Sequence, residues 1–144
     1  MKVTLTNEES EKHFHNALCN GADITSYDLV LDYKDADYAE AKKTLNEKIN
    51  NGNCPKEMLQ IGNDKPTICV EDVWMEILRN GKELCLVDEG CDGEYTRSIT
   101  LKDVHDRVQK TPIDHLMDAI NEEDDAVTAD VILQTVFYED IIFG

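Results

Sequence analysis

Tyr27-Asp28-Leu29-Val30-Leu31-Asp32-Tyr33 alternates with a period of two. Tyr27, Leu29, Leu31 and Tyr33 share one face and Asp28, Val30 and Asp32 the other. The pattern predicts a strand with one packed side and one wetter side. Working outward, residues 83–88 (ELCLVD) and 94–100 (EYTRSIT) read as two more strands. The stretch between them, Asp88-Glu89-Gly90-Cys91-Asp92-Gly93, is rich in turn formers, so a β-hairpin is expected. In the other direction, residues 2–6 (KVTLT) alternate as a short strand would.

The segments between these strands carry helical spacing. Thr6 stands three residues before Glu9, the capping-box arrangement, and the helix that follows points Phe14, Ala17 and Leu18 inward and ends near Gly21. Asp35 or Asp37 caps a second helix running to about Asn50, with Tyr38, Ala41, Leu45 and Ile49 as its apolar stripe and Gly52 as its stop. Val70, Val73, Trp74, Ile77 and Leu78 mark a third, ended by Asn80-Gly81, with Trp74 expected inside. Thr100 and Asp103 cap a fourth, with Leu101, Val104 and Val108 inward. Thr111-Pro112-Ile113-Asp114 starts a fifth, with Pro112 at its first position and Ile113, Leu116, Met117 and Ile120 inward. A sixth runs from about Ala126 to Tyr138, burying Ala129, Ile132, Leu133, Val136 and Phe137. The fold class is therefore α+β: about six helices, a small antiparallel or mixed sheet, and a helical C-terminal third. One domain spanning residues 1–144 is expected, with a flexible loop at 51–67 and one short turn at 56–60. The ending, Asp140 to Gly144, suits a short strand or an apolar tail.

Composition narrows the function classes. Thirty-one acids against fourteen bases leave a net charge of −17, so nucleic acid and anionic membranes are unsuitable partners. The longest apolar run is four residues, too short to span a bilayer. The N-terminal MKVTLTNEES lacks the apolar stretch of a secretory leader, so a cytoplasmic location is expected. Five cysteines, Cys19, Cys54, Cys69, Cys85 and Cys91, form no close pair and read as free thiols. Cys19, Cys69 and Cys85 sit among apolar residues and are expected to be buried.

Several constellations bear on chemistry. Asp88, Asp92, Gly93 and Glu94 partly match a calcium loop, but Gly90 and Ile99 stand where ligands are required, so a hairpin tip is the better reading. His15 and Cys19 lie four apart and share a helix face, whereas His13 points elsewhere, and two ligands do not complete a metal site. His105 and His115 adjoin Asp106 and Asp114, and a His–acid pair can serve as a general base. Nucleophile-elbow and phosphate-loop patterns are absent. No cofactor is implied. The most unusual feature is charge placement: the last 34 residues hold nine acids and no base, and the first 110 account for the other −8. Asp118, Glu122, Glu123, Asp124, Asp125 and Asp130 are the candidate docking residues for a basic protein, or else a solvated coat.

Residues 95–112 (YTRSITLKDVHDRVQKTP) and 115–144 (HLMDAINEEDDAVTADVILQTVFYEDIIFG), with FHNALCNG at 14–21 and YDLVLDYKDADYAEAKKTL at 27–45, resemble an uncharacterised family of small acidic proteins encoded in bacterial prophages and other mobile elements. The resemblance implies an intracellular accessory role and carries over no activity, cofactor or catalytic residue.

Three function classes follow. The first is a non-enzymatic binding or adaptor protein docking a basic partner through the acidic C-terminal helices. The second is a small hydrolase or metal-dependent enzyme using His105 or the His13/His15 region. The third is a structural subunit that forms homo-oligomers through its last residues, Phe137 to Phe143. In all three, the charge predicts no direct binding to DNA or RNA. Fluorescence anisotropy with labelled duplex DNA should show no binding at about 10 μM protein in about 0.1 M salt, and saturable micromolar binding would refute this.

Overall fold

The computed structural model describes residues 2–55 and 67–144, and for residues 22 and 23 the backbone alone. Residues 56–66, which include the expected turn at 56–60, lie outside the described residues. Helix α1 spans Asn7–Asn20 and starts with the capping box read from the sequence. Glu9 N–H donates to Thr6 Oγ1 at 3.1 Å, and Thr6 N–H donates to Glu9 Oε1 at 2.9 Å. The helix stops at Gly21, where a Cβ would lie only 2.4 Å from Leu133 and 2.7 Å from the Ala17 carbonyl oxygen. Glycine is needed there because a side chain would collide with the Ala17 carbonyl of the helix's own last turn, in space that Leu133 also crowds.

Residues 2–6 do not pair as a strand. Leu5 N–H donates instead to the Gln109 side chain at 3.1 Å, and Leu5 is buried in the core. The alternation there reflects anchoring of a coil on helices. The strand expected from Tyr27 begins two residues later. Ala22–Tyr27 is a 3₁₀ turn and Asp28 adopts φ 60°, a left-handed conformation that breaks the extended chain. Strand β1 is Leu29–Asp32.

Helix α2 spans Asp35–Asn50, but its N-cap is Lys34, which makes no side-chain cap. Asp35 and Asp37 lie inside the first turn, where acids favour the helix dipole. Helix α3, Val70–Arg79, is capped by Asp72, whose Oδ2 accepts the Cys69 N–H at 2.7 Å. Strands β2 (Leu84–Asp88) and β3 (Arg97–Ile99) form the expected hairpin. The sheet order is β1-β2-β3, antiparallel throughout, with Leu31 opposite Leu86 and Leu84 opposite Ile99. Leu29, Leu84, Leu86 and Ile99 are buried on one face, while Val30, Asp32 and Ser98 are exposed on the other.

Helix α4 is Leu101–Arg107 and runs into a 3₁₀ turn at Val108–Lys110. Helix α5 is Ile113–Ile120; Pro112 stands just before it, not within it. Leu116 and Ala119 are its buried residues, whereas Ile113 and Ile120, expected inward, are exposed. With only eight residues, this helix turns a narrow stripe toward its neighbours.

Helix α6, Ala126–Tyr138, occupies the centre. Every residue from Thr128 to Phe137 is buried, and the helix packs on α1, α4, α5 and β3. The sequence stripe of Ala129, Ile132, Leu133, Val136 and Phe137 is inside as read, but the opposite face is inside too. A helix covered all round must satisfy its polar side chains internally. Thr135 Oγ1 donates to the Val131 carbonyl at 2.7 Å. Gln134 Nε2 donates to Asp130 Oδ1 and to the Phe143 carbonyl, each at 3.1 Å, while Gln134 Oε1 accepts the N–H groups of Ile142 and Phe143 at 2.8 Å. The last residues are therefore clasped as coil against α6, and Phe143 stacks on Tyr27 with ring centroids 5.1 Å apart. In this arrangement Phe14→Ala, at a fully buried ring, should cost about 3–5 kcal/mol in urea unfolding. Val127→Ala, at a residue 55% exposed, should change stability by no more than about 0.5 kcal/mol. Equal costs for the two would contradict the placement of the core.

Candidate functional site

The acidic docking candidates separate into two environments. Glu122, Glu123 and Asp125 are exposed, and Asp118 and Asp124 are half-buried, around the turn that joins α5 to α6. Lys12 on α1 approaches Glu122 at 3.7 Å, and both side chains are largely in solvent. Such a pair contributes little. Asp125 has a structural duty: its Oδ1 accepts the Thr128 N–H at 2.9 Å as the N-cap of α6. That hydrogen bond holds its carboxyl below the usual carboxylate range. Asp130, grouped with the exposed acids from the sequence, is instead 8% exposed and accepts the Tyr27 hydroxyl at 2.9 Å. It belongs to the core of α6, because the helix that carries it is enclosed on both faces.

A second site lies where the C-terminal end of α1 meets α3. His15 and Asp72 are both buried, and His15 Nε2 stands 2.7 Å from Asp72 Oδ1. The other ring nitrogen, Nδ1, faces the Cys19 sulfur at 4.0 Å. The i, i+4 spacing places Cys19 one turn above His15, so the helix itself builds the thiol–imidazole pair. Burial alone would pull the imidazole down, but its bonds to Asp72 and Cys19 outweigh this and bring it to about 10. His15 is thus an imidazolium at neutral pH, held between a carboxylate and a sulfur.

Cys19 borders a cleft of about 360 Å³ between α1, the 22–27 turn, β1, α3 and α6. Its walls are mostly apolar, with Leu18, Ile24, Leu31, Trp74, Leu133 and Phe137 contributing, and among the described residues Glu71 is the one acidic side chain on them. Trp74, expected inside, is half-buried as part of this wall and packs on Tyr33 at 6.4 Å. Cys19 and Cys69, also expected inside, are exposed, and Cys85 is half-buried. All five cysteines are thiols. Local apolar neighbours misled the reading of Cys19 and Cys69: one ends a helix and the other precedes one, so each side chain faces outward.

Of the remaining candidates, His105 and Asp88 are engaged elsewhere, and among the described residues the Nδ1 atoms of His13 and His115 are buried without a hydrogen-bond partner. His105 does not pair with Asp106, which instead bonds Lys102 at 2.6 Å. Its Nε2 lies 2.9 Å from Glu11 Oε2, while Glu11 Oε1 accepts from Arg79 at 2.8 Å. Burial pushes the Glu11 carboxyl up, but Arg79 and His105 more than reverse this and hold it below the usual range. Arg79 also faces the fully buried Glu76, which pairs with Lys48, so one charged chain ties α4, α1, α3 and α2 together. His13 is buried, and burial first, then Lys12, lowers it toward the neutral form. It does not join His15. Asp88 accepts the N–H groups of Gly90, Cys91 and Tyr95 at 2.9–3.1 Å, which commits its oxygens to closing the hairpin loop rather than to calcium. Among the described residues, no group of three or more His, Cys, Asp or Glu is arranged to hold a metal ion.

No family model, curated protein or solved structure matches this chain.

The His15–Asp72 bond fixes a sign for pH dependence. In the unfolded chain His15 titrates near 6.5, and in the fold near 10. The folded state therefore binds the proton more tightly. Its contribution is complete below about pH 6.5 and is lost as pH rises through about 10. The Cys69 and Cys91 thiols, both raised by desolvation and nearby carboxylates, add a loss of the same sign. Urea unfolding from about pH 6 to pH 10 should show falling stability, and His15→Gln should flatten that fall. An unchanged slope in the variant would show that the fold does not raise His15.

Proposed function

We propose that this chain is a cytoplasmic, non-enzymatic binding or adaptor protein of a prophage or mobile element, docking a basic partner protein. The docking residues are Asp118, Glu122, Glu123, Asp124 and Asp125; Asp130, being enclosed, is not one of them. The observation that carries the reading is the exposed acidic turn between α5 and α6, with Lys12 as the base that reaches it at 3.7 Å. The turn leads into the most enclosed helix of the fold, so its carboxylates are presented from a rigid base. Preorganised charge of one sign steers and orients an oppositely charged partner. The resemblance of the sequence to small acidic mobile-element proteins supports the setting. Among the described residues no helix is long and apolar enough to cross a membrane.

The test separates docking from a passive coat. The triple variant Glu122→Gln, Glu123→Gln, Asp124→Asn spares the cap made by Asp125. It should melt at the same temperature as the natural protein or higher, because clustered like charges repel within a screening length of about 10 Å. Affinity capture from the host, compared at about 0.1 and 0.5 M salt, should recover a basic protein with the natural chain at low salt only. The variant should fail to recover it. Recovery of the same proteins by the variant at both salt concentrations would refute docking through this turn.

A further inference from the structure

We propose that Cys19 is an S-acylation site, taking an acyl group from a thioester while the apolar cleft beside it receives the acyl chain. The inference is independent of the acidic turn. It rests on three features found together: an exposed thiol, an imidazole one turn earlier on the same helix, and a cleft that Cys19 borders. The last turn of α1 contains no Lys or Arg, so the carbonyl end of the helix has no cation of its own. His15, one turn earlier and 4.0 Å from the sulfur, is the cationic group facing it. Asp72 fixes the ring through Nε2, which leaves Nδ1 directed at Cys19. An imidazolium beside sulfur is the setting in which a thiolate acts as a nucleophile.

The cleft selects the class of electrophile. Its walls are aliphatic and aromatic and its volume is about 360 Å³, which suits a flexible hydrocarbon chain better than a charged or sugar-bearing group. Glu71 on the wall further disfavours anionic ligands. In the step itself, the Cys19 sulfur attacks the thioester carbonyl and a new sulfur–carbon bond forms. The carbonyl–sulfur bond of the donor breaks, and the donor thiolate leaves with the electron pair. The proton lost by the Cys19 thiol ends on that leaving thiolate. Nothing is oxidised or reduced.

The full chain should be incubated with the N-acetylcysteamine thioester of decanoic acid, an uncharged donor, and acylation mapped by peptide mass spectrometry. Cys91 is the internal reference: it too is exposed, but desolvation and the carboxylates of Asp88, Glu94, Asp92 and Asp28 push its thiol up. Cys19 should acylate about tenfold faster than Cys91, and with the acetyl thioester that preference should shrink to the part His15 supplies. Val30→Glu places a charge at a cleft residue that is 43% exposed and outside the core. It should slow decanoyl transfer to Cys19 about tenfold while leaving alkylation of Cys19 by iodoacetamide unchanged. His15→Gln should slow both reactions at Cys19 and neither at Cys91; should that variant fail to fold, the comparison of Cys19 with Cys91 in the natural protein still decides. Equal acylation of the two thiols, or decanoyl transfer indifferent to Val30→Glu, would overturn the proposal.

Discussion

The buried hydrogen bond between His15 and Asp72 joins two helices that are far apart in the chain, and the Glu11–Arg79 pair holds the same two helices at a second point. Asp72 uses its second oxygen to cap α3 through the Cys69 N–H, so one carboxylate sets both where α3 begins and how it sits on α1. A buried charge is tolerated only when it is paired, and breaking such a pair by removing one partner costs about 3–5 kcal/mol. With α1 held on α3, the other side of α1 is free to receive α6, and the close approach at Gly21 lets it do so. The cleft beside Cys19 is the space left where these three elements and β1 converge.

Charge is sorted by the same geometry. An acid-rich chain can bury carboxylates only where donors meet them, and among the described residues the fold does this at four places. Asp72 faces His15, Glu76 faces Lys48 and Arg79, Asp88 faces three backbone N–H groups, and Asp130 faces Tyr27 and Gln134. The other acids of the C-terminal third stay at the surface, where hydration is strong and Arg107 engages Glu139. Tyr138 shows the cost of an incomplete solution: its hydroxyl is buried without a partner, and burial pushes it up to about 12.

Local patterns carried much of the fold. The capping box at Thr6, the hairpin around Asp88 and the cap at Thr100 were legible because each is decided within a few residues. What depended on distant partners was not. The alternation at 2–6 is the same in a strand and in a coil pinned by Leu5. Asp130 looks like its acidic neighbours until Tyr27, more than a hundred residues away, is placed against it. The full enclosure of α6 was visible only in its apolar composition, since a stripe and a filled core share the same inward residues. At the candidate site, the i, i+4 spacing of His15 and Cys19 was apparent, but Asp72 was not, because a lone Asp at a helix start reads as a cap. It is a cap as well, and the two roles share one side chain.

The protonation state of His15 is the point on which the joint between α1 and α3 and the setting of Cys19 both depend. Nitrogen-15 NMR of the histidine rings across about pH 5 to 11 would observe it directly. His15 should keep both ring protons through neutral pH and lose one only near about pH 10, while His13, lowered by burial, should be a neutral imidazole at about pH 7. A neutral His15 ring at pH 7, titrating no higher than an unperturbed histidine, would contradict the buried ion pair and with it the basis for a reactive Cys19.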